Sequence, residues 1–141
     1  MSELAADVIA VAVARGVSIA AAESLTGGLV SSALVDVPGA SAVFKGSVVA
    51  YDLMVKHELL GVDAAVLVSV GAVNAEVATQ MAEGAATRLG AQIAVATTGV
   101  AGPDPDPVSG ELPGKAFVAV AGTHLGTIVR ELRLEGDREH I

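Results

Sequence analysis

Apolar and small residues recur through Leu4–Arg15 and stop at Gly16, a spacing that predicts a first helix closed by a left-handed glycine. Val17–Ala22 is a short unbroken apolar run, the pattern of a buried strand, and Leu29–Leu34 reads as the body of a second helix. That helix ends in the turn cluster Asp36–Ser41, which contains Pro38 and Gly39. Ala42–Tyr51 is rich in β-formers and is interrupted at Gly46, predicting a strand with a bulge. Asp52 is placed to cap a short helix that runs through Lys56 to Leu60 and stops at Gly61. Asp63–Leu67 predicts another short helical segment, followed by the connector Ser69–Val73. Asn74 then caps a strong helix, with Val77, Met81, Ala85 and Leu89 on one side and Gly90 as its stop. Ala91–Thr98 reads as a buried strand. Gly99–Pro113 has no periodicity and holds Pro103, Pro105, Pro107 and Pro113, so it is a loop of a length that is commonly functional. Lys115–Ala121 and Thr127–Leu134 predict a hairpin around Gly122–Gly126, and Gly136–Ile141 the cap and first turn of a helix.

This order of elements implies one α/β domain over residues 1–141: a three-layer α/β/α sandwich with a mixed, mostly parallel sheet. Ligands of open α/β sheets collect beyond the carboxyl ends of the strands. Three polar turns fall at such ends: Glu23–Gly28, Tyr51–Lys56 and Thr97–Gly102.

Composition narrows the chemistry. Hydrophobic residues make up 52 % of the chain and aromatic ones 2 %, so the core is built from Ala, Val, Leu and Ile, and the high apolar content reports a dense interior. No apolar run reaches the length of a membrane span, and the acidic start lacks a basic signal-peptide head; a cytoplasmic protein without membrane association is expected. The net charge of −8 and the scarcity of stacking aromatics (Phe44, Tyr51, Phe117) argue against nucleic acid as a partner. A small anion is still admissible if Lys45, Lys56, Lys115 or Arg138 stands in the site. There is no cysteine, which excludes disulfides and thiolate catalysis; no histidine pair has metal-ligand spacing, and neither metal nor cofactor is expected.

Ser24 sits where strand passes to helix, and the unpaired amides of that helix start favour a phosphate or a developing oxyanion. Gly27 and Gly28 let a ligand approach the main chain. Ser24 or Thr26 serving only as a helix cap is the competing reading. His57, His124 and His140 are poorly placed to activate a serine, which leaves lysine as the base, provided burial lowers its pKa. Lys56 is the best candidate, five residues past Tyr51, whose hydroxyl is a possible proton relay. The main-chain donors of Thr97–Gly102 are placed to complete an oxyanion or phosphate site.

These residues lie in an ordered series of motifs: Ala22-Glu23-Ser24-Leu25-Thr26-Gly27-Gly28, Val37-Pro38-Gly39-Ala40-Ser41, Val49-Ala50-Tyr51 with Lys56 and Leu60-Gly61-Val62, Gly71-Ala72-Val73, Met81-Ala82-Glu83-Gly84, Thr98-Gly99-Val100-Ala101-Gly102-Pro103 and Gly136-Asp137-Arg138. In them the chain resembles the CinA carboxy-terminal domain family, the nicotinamide-nucleotide amidases of PncC type. The resemblance implies an amidohydrolase acting on a linear carboxamide, converting nicotinamide mononucleotide to nicotinate mononucleotide and ammonia in pyridine-nucleotide recycling. It implies Ser24 as nucleophile, with Lys56 and Tyr51 activating it. Ser41 and Thr98 fall at family positions associated with the site, and Arg138 at one that meets the substrate phosphate. With Glu23, Thr26, Gly27, Gly28 and Gly99 they form the expected substrate-binding set. Three departures stand out. Asp104-Pro105-Asp106-Pro107 replaces a common glycine run, Pro113-Gly114-Lys115-Ala116 stands where Pro-Val-Gly-Thr is usual before the next strand, and the family's last helix is nearly absent after Arg138. A catalytically silent nucleotide-binding or assembly module of the same fold is the alternative. A small Ala/Val-rich α/β domain often completes its core by two-fold association, so a homodimer is expected.

Overall fold

The computed structural model describes residues 2–141. Five strands form one sheet in the order β2-β1-β3-β4-β5, with β1 Ile19–Glu23, β2 Phe44–Val49, β3 Ile93–Gly99, β4 Lys115–Gly122 and β5 Gly126–Arg133. β1 pairs in parallel with both β2 and β3, whereas β3–β4 and β4–β5 are antiparallel. Only β4 therefore runs against the other strands, which gives the mixed, mostly parallel sheet expected. The helices are α1 Glu3–Arg15, α2 Leu29–Val35, α3 Leu53–Leu60, α4 Ala64–Ser69 and α5 Ala75–Leu89.

Two separate apolar cores make the three layers. On one face Ala5, Ile9 and Ala12 of α1 and Leu34 of α2 pack with Ile19, Val37, Ala40 and Val43. On the other, Val77, Ala78, Met81, Ala82 and Ala85 of α5 lie on the alanine side of the sheet, Ala20, Ala22, Ala94, Ala96 and Ala119. Such small strand residues let a helix approach the sheet closely, which is how a core almost without aromatic rings reaches native density. The first face is only partly covered. A groove of about 870 Å³, lined by Leu4, Val8, Val11, Leu29, Val95 and Val120 among others, stays open between α1, α2 and the sheet, and no residue of the three polar turns lines it.

Local signals act as the sequence predicts. Gly16, Gly61 and Gly90 close α1, α3 and α5 with left-handed φ of 63°, 72° and 65°, while the side chains of Asp52 and Asn74 cap α3 and α5. Lys45 bulges out of β2, since Ile19 pairs with Phe44 but Ala20 pairs with Gly46. Residues 100–114 contain no helix or strand, yet the loop is organised about Asp106, whose carboxylate accepts from the Val108 and Ser109 amides and the Ser109 hydroxyl. Beyond β5, Asp137 caps a single turn by accepting from the His140 amide. Among the described residues no helix is long and apolar enough to cross a membrane.

α3 carries Lys56, and contacts with α5 fix its seat. Gly84 of α5 meets the Leu60 carbonyl at the end of α3 so closely that a Cβ has no room. Arg88, one turn on, donates from Nη1 to the Glu58 and Leu59 carbonyls at 3.1 Å each. The carboxyl end of α3 is thus held on α5 by main-chain contact and by charge-assisted hydrogen bonds.

Candidate active site

β2, β1 and β3 are parallel neighbours, so their carboxyl ends put the three polar turns side by side on one edge of the sheet. The Lys56 side chain, 1 % exposed, crosses from the first turn of α3 to the end of β1. Its Nζ lies 2.9 Å from Ser24 Oγ, 2.8 Å from the Ala50 carbonyl and 3.0 Å from the Tyr51 carbonyl. Burial lowers the Lys56 pKa to about 8, although Asp52 and Asp106 act in the opposite direction. A neutral amine has two protons and one lone pair. As an ammonium Nζ donates to Ser24 Oγ as well as to the two carbonyls; once neutral, with its two protons kept on the carbonyls, it turns its lone pair to the serine hydroxyl.

The Tyr51 hydroxyl plays no part in this contact, contrary to the expected relay. The side chain is 62 % exposed and its hydroxyl lies 3.5 Å from Arg138 Nη1; the main-chain carbonyl of Tyr51 is what holds the amine. Strand β2 ends at Val49, so the chain turns at Ala50 and Tyr51 and directs both carbonyls inward and the phenol outward. Arg138 reaches the same edge, donating from Nε to the Gly102 carbonyl at 2.7 Å. Tyr51, Gly102 and Arg138 therefore stand together at the rim of the Ser24–Lys56 pair.

Glu23 has a different place from the substrate contact expected of it. Its buried carboxylate sits on the start of α2, accepting from the amides of Gly28 (3.2 Å), Val30 (2.9 Å) and Ser31 (2.9 Å) and from the hydroxyls of Thr26 and Ser31 (both 2.6 Å). Burial pushes this carboxyl up, but the hydrogen bonds from Ser31, Thr26 and Val30 outweigh it and hold the pKa below its ordinary value. The helix terminus expected to receive a phosphate or oxyanion thus already holds an internal anion, and neither Ser24 nor Thr26 caps α2. Gly27 and Gly28, with φ of 57° and 106°, shape the turn that brings these amides round to Glu23. The amides of Leu25 and Thr26, next after Ser24, have no protein acceptor among the described residues.

Thr98 and Ser41 are also placed otherwise than expected. The Thr98 hydroxyl is buried and donates to the Ala72 carbonyl at 2.7 Å, tying the connector before α5 to the sheet. Its neighbour Thr97 faces Ser24 instead, because successive strand residues point to opposite faces. Ser41 lies in the 3-10 turn Ala40–Ala42 before β2, and β2 begins beside the start of β1, so within one chain Ser41 is at the opposite edge of the sheet. Gly99 closes β3 and packs against Ala116 and Lys115 of β4, where a side chain would collide. Of the other basic candidates, Lys115 pairs with Glu111 and Glu131, and Lys45 is the bulged residue of β2. No histidine approaches Ser24: His57 bonds the Val62 carbonyl, His140 bonds Asp137, and His124 is in the hairpin turn. Among the described residues no three His, Asp or Glu side chains converge as metal ligands do.

An α/β/α domain with a serine and a buried lysine across neighbouring strand ends is the class that this fold and site define. The model of the CinA C-terminal domain matches residues 1–141, and the chain belongs to that family. It is 47 % identical over 137 residues to the CinA-like protein of Frankia casuarinae, covering 95 % of this chain and 30 % of that protein. It is also 47 % identical over 128 residues to the putative competence-damage inducible protein of Acetivibrio thermocellus, again 30 % of that protein's length. The chain thus spans about a third of the curated relatives it matches. Among solved structures, the competence/damage inducible protein CihA of Agrobacterium tumefaciens superposes with a TM-score of 0.91 at 36 % identity, over 97 % of this chain and 83 % of that one. The competence damage-inducible protein A of Klebsiella pneumoniae gives 0.92 at 31 % identity, over 97 % and 84 %.

Proposed function

We propose that this domain is an amidohydrolase that removes ammonia from the carboxamide of nicotinamide mononucleotide by acyl transfer through Ser24. One observation carries the reading: Lys56 Nζ, buried and held by two carbonyls, has its remaining valence on Ser24 Oγ at 2.9 Å. As Oγ attacks the carboxamide carbon, its proton passes to Nζ. The ammonium so formed protonates the departing amine, and ammonia leaves with formation of an acyl-serine. Water, deprotonated by the same amine, then attacks the ester and releases the nicotinate product with Ser24 restored. The free amides of Leu25 and Thr26 come directly after the nucleophile in the chain and are the natural donors to the tetrahedral oxyanion. The substrate phosphate meets Arg138 at the rim, which replaces the α2 terminus as the anion subsite.

The purified protein is expected to release ammonia from nicotinamide mononucleotide. Tight binding of the nucleotide in a calorimetric titration, with no ammonia formed, would mark a silent nucleotide-binding module and end the amidase reading. Arg138→Ala is expected to raise KM by about tenfold while kcat stays within about threefold, the loss of one charge-assisted contact to phosphate. Initial rates over a substrate series measure this, and an unchanged KM removes Arg138 from the binding set.

A further inference from the structure

A chain of hydroxyls leads from the buried Glu23 carboxylate to the backbone of the nucleophile. Thr26 Oγ1 is 2.6 Å from Glu23 Oε1 and 2.8 Å from Thr97 Oγ1, and Thr97 Oγ1 is 3.4 Å from the Ser24 amide nitrogen. An ionised carboxylate only accepts hydrogen bonds, and each hydroxyl has one proton. Thr26 must therefore donate to Glu23, which obliges Thr97 to donate to Thr26 and leaves a Thr97 lone pair for the Ser24 N–H. That amide also donates to the Thr97 carbonyl at 3.0 Å, so Thr97 grips it with both main chain and side chain. The direction of every bond is set by the charge at one end.

We infer that Thr97, oriented through Thr26 by Glu23, is a positioning residue that fixes the Ser24 backbone so that Oγ faces Lys56 Nζ. The Ser24 amide, turned into this grip, is taken out of the oxyanion site, and the next amides in the chain are left to serve it. Thr97 and Glu23 lie opposite each other on neighbouring parallel strands, and Thr97 is 6 % exposed, so neither group needs to touch the substrate. The register of β1 with β3 is thereby read out at the nucleophile.

The inference rests on the Ser24–Lys56 acyl-transfer proposal, and its test separates the two. Thr97→Val keeps the shape of the side chain and deletes its hydroxyl; Thr97→Ser keeps the hydroxyl. For ammonia release from nicotinamide mononucleotide, Thr97→Val is expected to lower kcat about tenfold with KM within about twofold. Its melting temperature is expected to stay within about 3 °C of wild type, and Thr97→Ser to recover most of the rate. Full kcat in Thr97→Val, a Thr97→Ser variant as slow as the valine one, or a rate loss that only tracks a lowered melting temperature overturns the inference. The rate at which phenylmethanesulfonyl fluoride labels Ser24, monitored by mass spectrometry, supplies the comparison without the nucleotide. Slow labelling in Thr97→Val restored by Thr97→Ser, in a protein that releases no ammonia, upholds the positioning role and rejects the substrate. Equal labelling of all three rejects the positioning role, and an unlabelled wild-type Ser24 rejects both.

Discussion

Lys56→Met is expected to reduce ammonia release at least about 10³-fold, and Ser24→Ala to do the same, because each removes one half of a unit that works only as a pair. Methionine nearly matches the length of the lysine stem and fills the same buried channel, so the loss is chemical and not a collapse of packing. Lys56→Arg is no substitute, since guanidinium stays protonated and has no lone pair to offer. In wild type the base must be neutral. With a pKa of about 8, kcat/KM is expected to rise about tenfold per pH unit below that value and to level off above it. A flat profile between pH 6 and 9, or a methionine variant within tenfold of wild type, would remove Lys56 from the chemistry.

The same lysine leaves a mark on stability. Its pKa falls from 10.5 in the unfolded chain to about 8 in the fold, so between these values the unfolded state binds the extra proton. Stability therefore rises as pH increases from about 8 to 10.5, and the burden is fully present below the folded value. At 1.36 kcal/mol per unit this amounts to about 3 kcal/mol. Denaturant melts of wild type and Lys56→Met at both ends of the window isolate it, because other titrations cancel in the difference. A difference independent of pH would mean that the amine is not buried in solution.

Gly84→Ala is expected to destabilise the fold by about 3 kcal/mol, roughly 10 °C in melting temperature, and to lower activity beyond the loss of folded protein. A methyl group at Gly84 collides with the Leu60 main chain, and a backbone cannot rotate aside as a side-chain tip can. α3 must move away from α5, and Lys56 is one helical turn before Leu60 on that helix. The displacement is thus passed to Nζ, whose contacts with Ser24 and two carbonyls tolerate only a few tenths of an ångström. Calorimetry and ammonia release on one preparation check both parts. A melting temperature within 2 °C of wild type, with full activity, would mean that the helix pair accepts a methyl group there.

What the sequence reveals of this architecture is mostly what local periodicity dictates. α5 is legible from Asn74, Gly90 and the spacing of Val77, Met81 and Ala85, and each of these residues does in the fold what the spacing implies. The Ser24–Lys56 encounter is legible at one remove: both residues come just after carboxyl ends of strands, and the strands are parallel neighbours. The rest depends on three-dimensional choices that no spacing encodes. Which of Thr97 and Thr98 faces Ser24 is decided by the register of β3, a parity that a one-residue slip would reverse. Whether Tyr51 contributes its phenol or its carbonyl is decided by how the chain leaves β2. Ser41 is misplaced by its motif because nearness in sequence to β2 says nothing of which end of the sheet it occupies. Glu23 is the most instructive case, since a carboxylate next to a nucleophile reads as functional, yet its five partners all come from its own turn and helix.

That local closure has a consequence for how the molecule is made. Every group bonded to the Glu23 carboxylate lies within eight residues of it, so this knot needs no distant strand in order to form. Short-range contacts close fastest during folding. The Glu23 knot can take shape as a nascent unit while β3 and α3 are still being recruited, and those elements then bring Thr97 to the Ser24 amide and Lys56 to its hydroxyl.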